Sequence, residues 1–216
     1  MLQTRDLLPK RQLRAHLIQL VLKRLSDVFI ATVLLVVFSP LLIAMAILVR
    51  VSSPGPVLYC RRVVGFNGRE FDAFKFRTMV ANADEILRQN PELLSEFKKN
   101  FKLRKDPRVT RVGRFLRRTT IDEFPQLLNV LRGEMSLVGP RMISPAELSK
   151  YGAYAPKLLS VKPGMAGPWV AAGRQEIPYE QRVQMDLDYI DNWSLWLDIK
   201  ILIKTAIAVI AMRGAY

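Results

Sequence analysis

Residues 28 to 49 read Val28-Phe-Ile-Ala-Thr-Val-Leu-Leu-Val-Val-Phe-Ser-Pro-Leu-Leu-Ile-Ala-Met-Ala-Ile-Leu-Val49, 22 positions without a charge. About 20 apolar residues cross a bilayer as a helix, so the first reading is a transmembrane segment. A signal peptide fits less well, because the run is long, starts late and passes into Arg50 with no polar cleavage region. Two details argue against simple spanning. Pro40, next to Ser39, sits mid-run, where it removes a backbone hydrogen bond and crowds the carbonyl four residues back. The arm from Val28 to Ser39 is then roughly 18 Å of helix, short of a hydrocarbon core about 30 Å thick. Both flanks are also basic, Lys23 and Arg24 before the run and Arg50, Arg61 and Arg62 after it, so charge gives no reason to place the ends on opposite sides. The expectation is a helix-break-helix over residues 23–50 that enters one leaflet and returns. A kinked spanning helix is the alternative, since Pro is tolerated where Ser or water satisfies the freed carbonyl.

Around that segment, 216 residues make room for one domain with appendages. The 33 Lys and Arg against 19 Asp and Glu leave a charge of +14, which predicts an anionic partner. Half of the residues are hydrophobic, which excludes a disordered polybasic chain. One Cys, Cys60, rules out an intramolecular disulfide or a Cys-based zinc site, and one His, His16, lies in the basic arm 1–22. Triads that use His and His-ligated metals thus have almost no material, and a metal should be a hard, oxygen-liganded ion such as Mg²⁺. Cys60 is expected to pack in the interior.

Past Pro54-Gly55-Pro56, Val57–Val64 and Phe71–Met79 flank a turn at Gly65–Gly68 and predict a hairpin. In its second strand Phe74 and Phe76 alternate with Lys75 and Arg77, giving an apolar and a cationic face, which could also be an ordinary solvated face. Residues 80–103 predict helix split at Pro91. The 21 residues Lys98–Arg118 hold ten basic side chains and one acid, Asp106; Arg108, Arg111, Arg114 and Arg117 would form a ribbon on a helix suited to phosphates or lipid headgroups. Such a ribbon could also serve nucleic acid, but no recognisable nucleic-acid module accompanies it.

Next comes Thr119-Thr120-Ile121-Asp122-Glu123-Phe124-Pro125-Gln126. Thr120 with Glu123 spells a capping box, a purely structural use. Pro125 favours a different register, with Asp122 as N-cap, because Pro125 then stands where no backbone N–H is required. In that register free N–H groups and nearby Arg117 and Arg118 would favour the ionised carboxylate. An ionised Asp122 can attack phosphorus, while Glu123 can hold Mg²⁺ on the phosphate under attack.

Here the sequence resembles the bacterial sugar transferase family, the monotopic polyprenyl-phosphate phosphoglycosyltransferases. The resemblance runs from Lys23 to Tyr216 and rests on motifs in order: Lys23–Val28, Ser39-Pro40, Lys75–Met79, Asp106–Thr110, Asp122-Glu123 with Pro125–Leu127, Asn129–Ser136, Gly139–Arg141, and Lys162–Gly164 through Gly173-Arg174. The ending, Asn192–Trp196 to Arg213–Tyr216, is most similar to the short exopolysaccharide-initiating members, which lack the extra N-terminal membrane domain of larger ones. The resemblance implies a small, helix-rich α/β (α+β) membrane-associated domain on the cytoplasmic face of the bacterial inner membrane, with a catalytic domain at 51–192. It implies that Asp122 attacks the β-phosphate of a UDP-sugar (UDP-galactose, UDP-glucose or an N-acetylated sugar), and that undecaprenyl phosphate displaces the aspartate. It further implies Mg²⁺ on Glu123, a re-entrant break at Ser39 and Pro40, substrate contacts from Lys75, Arg77, Arg117, Arg141, Gly173 and Arg174, and no nucleic-acid partner. A non-catalytic protein binding anionic lipid is the alternative, raised by departures in the glycine-rich stretch: Ala166 and Val170 replace the usual Thr and Gln, and Met142 follows Gly-Pro-Arg in place of Pro. Residues 193–216 carry Trp193, Trp196, Lys200 and Lys204 on an apolar helix, which predicts an amphipathic element at the bilayer interface, with a buried core helix as alternative.

Overall fold

The computed structural model describes residues 10–100, 103, 106–172 and 177–211. Gly173, Arg174, the side chain of His16 and the ending Arg213–Tyr216 lie outside the described residues.

The apolar run is part of one long helix, α1 (Lys10–Ser52). The expected interruption at Ser39-Pro40 is not seen: the backbone stays helical through Pro40. Ser39 supplies the reason. Pro40 has no N–H for the carbonyl of Val36, and the Ser39 hydroxyl donates to that carbonyl at 2.8 Å instead.

The rest of the chain packs along one side of α1. After it come β1 (Leu58–Val64) and β2 (Glu70–Phe76), an antiparallel hairpin with Arg61 opposite Ala73 and Tyr59 opposite Lys75. Its turn, Phe66–Gly68, places Asn67 at φ 55°. Pro91 starts a new helix, as expected, dividing α2 (Ala83–Gln89) from α3 (Pro91–Asn100). Then follow α4 (Arg111–Thr119), a 3-10 segment at Ile121–Gln126, and α5 (Leu127–Arg132). A second, two-stranded sheet pairs β3 (Ser136–Val138) in parallel with β4 (Gly164–Ala166). A 3-10 stretch (Pro145–Tyr154), α6 (Ala155–Leu158), α7 (Pro168–Ala171), α8 (Tyr179–Asp191) and α9 (Leu195–Ile210) complete the chain. The glycine-rich stretch is thus partly strand. Its glycines permit close backbone approach, since a Cβ on Gly164 would collide with the backbone nitrogen of Gly139.

Two apolar clusters join this domain to both halves of α1. Ala31, ahead of Pro40, is fully buried with Val63, Ala73, Leu127 and Val130; Met45 and Val49, beyond it, pack with Phe76 and Leu116. Polar contacts reinforce the first half. Arg24 donates to the carbonyls of Val130 (2.6 Å) and Leu131 (2.9 Å) at the end of α5, where a cation meets the negative pole of a helix. Asp27 accepts from the N–H of Leu137 at 3.0 Å. Lys23 reaches Asp198 of α9 at 2.5 Å, and Asp198 also accepts from Tyr189 (2.7 Å) and Trp193 (3.2 Å). The opposite side of α1 remains apolar and exposed, with Phe29 70% and Val36 67% accessible. α1 is long and apolar enough to cross a membrane by length and composition.

Cys60, expected in the interior, is exposed on β1. β1 buries only its end, Val63 and Val64, so position 60 has no core to face.

Candidate active site

The carboxylate pair sits where four elements meet. Gly113 lets α4 press onto the end of the hairpin: a Cβ there would strike the carbonyl of Thr78. That contact sets Arg117, whose Nε donates to the hydroxyl of Thr78 at 2.9 Å. The chain then turns at Thr120, at φ 61°, a conformation that a β-branched residue adopts only when its surroundings enforce it, at about 1–3 kcal/mol. Asp122 and Glu123 follow immediately, in the first turn of the 3-10 segment.

The structure thereby corrects the expected register. Thr120, not Asp122, precedes the helical segment, and its side chain makes no capping bond. Pro125 is accommodated inside the segment because the three-residue bonding there never calls on its nitrogen: Glu123 N–H reaches Thr120, and Leu127 N–H reaches Phe124 and Pro125.

Asp122 is 9% exposed, whereas Glu123 is only partly buried and accepts from Lys75 Nζ at 2.6 Å. Lys75 comes from β2, and its placement traces to Asn129. That fully buried amide accepts from Phe74 N–H (3.0 Å) and donates to the Asp72 carbonyl (2.8 Å) and to Glu134 (2.7 Å), docking α5 against the strand. Asn129 entered the sequence reading only inside a motif, and a polar residue in an apolar helix was the available sign of its structural work.

Protonation is a second correction. The nearby cations do not keep the Asp122 pKa low: burial, helped by the charge of Glu123, raises it to about 6, against the opposing pull of Lys75 and Arg117, so the carboxylate still predominates at neutral pH. Arg117 is itself lowered by burial, an effect that Asp122 and Asp106 partly offset.

Of the other expected site residues, Arg77 lies elsewhere. It is 8% exposed and donates to the carbonyl of Ser53 at 2.6 Å, at the end of α1, while its Nε and Nη1 find no partner among the described residues. Arg141 stands near Glu147 (3.7 Å) and against the ring of Trp169 (5.2 Å). The basic ribbon does not form as one surface. Arg108 precedes α4 and pairs with Asp106 through two nitrogens (2.8 and 2.7 Å), Arg117 turns inward, and Arg111 and Arg114 remain exposed.

Among the described residues no group of three or more carboxylate, His or Cys side chains could cage a metal. One or two carboxylates plus substrate phosphates are what Mg²⁺ commonly takes, and Asp122 with Glu123 offers that donor set. The pair also lies beside the long apolar helix α1: the ring of Phe124 meets that of Phe38 edge-on, centroids 5.2 Å apart and planes at 73°.

Fold and site together define a helix-rich α/β domain built on one long apolar helix, with a half-sequestered carboxylate pair held among cations. The chain belongs to the bacterial sugar transferase family, whose model matches residues 18–212. It is 45% identical over 198 residues to the exopolysaccharide production protein ExoY of Rhizobium meliloti, covering 90% of this chain and 88% of that protein. It is 45% identical over 199 residues to an undecaprenyl-phosphate galactose phosphotransferase of Salmonella typhimurium (90% of this chain, 42% of that one). To a UDP-glucose:undecaprenyl-phosphate glucose-1-phosphate transferase of Xanthomonas campestris it is 41% identical over 209 residues (91% and 40%). The chain thus spans about two-fifths of the length of the last two relatives.

Proposed function

We propose that this protein transfers a sugar 1-phosphate from a UDP-sugar to undecaprenyl phosphate at the cytoplasmic face of the inner membrane, the opening membrane step of exopolysaccharide or other glycan assembly. The observation that carries this reading is the position of Asp122-Glu123: a carboxylate pair with Lys75 and Arg117 beside it, in the segment whose Phe124 packs on Phe38 in the middle of α1. Chemistry on a phosphate and access to a lipid are thereby joined in one place. The relatives' names supply the substrate class, galactose or glucose phosphate on a polyprenyl carrier; an N-acetylated sugar is a further candidate.

In the first step an ionised Asp122 oxygen attacks the β-phosphorus of the donor. The bond from that phosphorus to the bridging oxygen breaks, its electron pair leaves with UMP, and a sugar-phosphoryl-aspartate remains. In the second, an oxygen of the lipid phosphate attacks the same phosphorus and the aspartate carboxylate leaves, giving undecaprenyl-diphospho-sugar. Lys75 and Arg117 lower the repulsion between the anionic nucleophile and the anionic donor. Glu123 would hold Mg²⁺ together with donor phosphate oxygens; when bound, the ion supplies neutralising charge at the phosphorus under attack.

The same reading includes a re-entrant α1. The domain contacts that helix from Lys23 to Val49, roughly 39 Å of helix at about 1.5 Å per residue. If α1 spanned, Asp122, Glu123, Lys75 and Arg117, level with Phe38, would lie near the bilayer midplane, where each charge is costly. A helix that dips into one leaflet, bends at Pro40 and returns leaves the site at the headgroup boundary.

The test is UMP release by purified protein supplied with Mg²⁺, undecaprenyl phosphate and a panel of UDP-sugars. Wild type should release UMP from one donor, and peptides trapped mid-turnover should carry the sugar-phosphate mass on Asp122. The mass on another side chain, or product without any adduct, overturns the covalent step. Silence on every donor favours a lipid-binding role.

A further inference from the structure

A relay of contacts through the hairpin leads from the carboxylate pair to a second charged cluster, assembled from β1, the Pro145–Tyr154 stretch, α7 and α8. On the hairpin, Tyr59 faces Lys75 and Arg61 faces Ala73, so Arg61 and Lys75 project from one face a single pair apart, within about 8 Å of each other. Lys75 leads to Glu123; Arg61 leads to Glu147 at 3.3 Å. Glu147 is 5% exposed and already engaged, accepting also from Ser144 N–H at 3.0 Å and standing 3.7 Å from Arg141. Asp186, with no accessible surface, is engaged too, by Arg141 N–H (3.1 Å) and the Tyr151 hydroxyl (2.8 Å).

Cations outnumber these carboxylates. The guanidinium of Arg182 lies 5.3 Å from the centre of the Trp169 ring, the same ring that Arg141 meets at 5.2 Å. Arg182 spends its Nε on the Ile177 carbonyl at 2.9 Å, and among the described residues no carboxylate forms an ion pair with it. Burial and the charge of Arg141 both disfavour its cation. Two guanidiniums held against one indole, with nearby carboxylates occupied, have remaining N–H donors for a planar or tetrahedral oxyanion.

We infer that Arg182, held against Trp169 beside Arg141, which is already expected to contact substrate, binds a phosphate group of a substrate. This rests on the reading that Asp122 acts on phosphate. At the Asp122-Glu123 pair two carboxylates face two cations, so the side chains there carry no surplus positive charge of their own, and the ion on Glu123 would serve the phosphorus under attack rather than the other phosphate groups. The Arg182 cluster supplies the surplus and lies on the same side of the hairpin. The ligand chemistry is a phosphate anion, and its source is either the nucleotide donor or the prenyl phosphate.

Arg182→Gln and Arg182→Lys separate the sources. KM and kcat are measured for each substrate in turn, alongside direct binding of UMP and of a prenyl monophosphate. The expectation for Arg182→Gln is a KM, and a matching dissociation constant, raised about tenfold or more for one ligand, with kcat within about threefold and part of the loss recovered in Arg182→Lys. A change confined to the UDP-sugar and UMP assigns the donor, and one confined to the lipid assigns the acceptor. Unchanged KM and binding for both overturn the inference, as does a fall in kcat alone, which marks a structural prop. Thermal unfolding of both variants checks the fold. If wild type releases no UMP from any donor, the transfer reading fails by itself. UMP binding that is present in wild type and weakened in Arg182→Gln would still establish the anion site, and equal binding would remove it.

Discussion

At the scale of the residue, Asp122 is costly to keep. A carboxyl titrating near 3.8 in the unfolded chain and at about 6 in the fold is protonated in both states below pH 3.8. As pH rises through about 6 the folded protein must ionise it in a buried place, and stability falls, by on the order of 1–3 kcal/mol. Asp122→Asn should therefore do two opposite things. Transfer should drop by about 10³-fold or more, since an amide oxygen does not replace the nucleophile, while the unfolding temperature at pH 7.5 should rise above wild type and the gap should nearly close at pH 4. Calorimetry at the two pH values checks the second half; a midpoint lowered at both would remove the burial argument. Glu123→Gln tests the coupling. The charge of Glu123 is the second cause raising Asp122, so its loss should move the acid limb of the single-turnover UMP burst to lower pH, whatever happens to the amplitude. A limb that stays in place would show that desolvation acts alone. The sequence made the pair itself legible, because adjacent acids after ten cations are chemically conspicuous. It did not show the upward shift, since burial is a product of tertiary packing, whereas the visible influences, free N–H groups and nearby arginines, all pull the other way. Arg77 was opaque for the same reason: nothing in Lys75-Phe76-Arg77 says that the lysine faces Glu123 while the arginine turns to the end of α1.

At the scale of the element, the hairpin and the Pro91 division follow from local rules and are found, although the second strand ends at Phe76, short of the expected Met79, and the described helices cover Ala83–Gln89 and Pro91–Asn100 of the expected 80–103. The start of the 121–126 segment does not follow from such rules. Capping rules rank side chains by what they offer to free N–H groups, whereas here the turn is fixed by α4 pressed onto Thr78 and by a left-handed Thr120. For α1, local rules gave a break at Pro40, but the hydroxyl one residue earlier restores the lost hydrogen bond. A helix that continues through Pro40 does not by itself choose between the membrane placements, so the decision falls to an accessibility measurement. In a Cys60→Ser background, single cysteines at Arg14 and Pro54 should both react with an impermeant reagent from the cytoplasmic side of oriented vesicles. Reaction from opposite sides would establish a spanning helix and carry the charged site into the bilayer.

At the scale of the whole molecule, α1 and α9 carry most of the exposed large apolar side chains among the described residues, and the two helices are tied together through Lys23, Asp198 and Trp193. On α9, Leu197 and Ile201 turn toward the core, so the helix is partly a core element. Trp196, Ile199, Ile203 and Ile207 form an exposed stripe on its outer side, between 45% and 62% accessible. Spacings of three and four keep those four side chains on one face, and Lys200, 5.4 Å from the Trp196 ring, stands at its margin. A stripe this apolar on a chain of charge +14 suits the boundary of an anionic leaflet, with side chains in the acyl region and lysines among the headgroups. If α9 orients the site toward the lipid substrate, its outer face matters to one half of the reaction only. The double substitution Ile199→Glu and Ile203→Glu removes two apolar contacts, each about 1.5–3 kcal/mol when fully buried, and places two carboxylates against anionic lipid. Transfer to undecaprenyl phosphate in vesicles should fall about tenfold or more, while the burst of UMP from the soluble donor, which asks nothing of the acceptor, should persist. Equal loss in both measurements would mean that the face supports the fold, and no loss in either would mean that α1 alone sets the protein on the membrane.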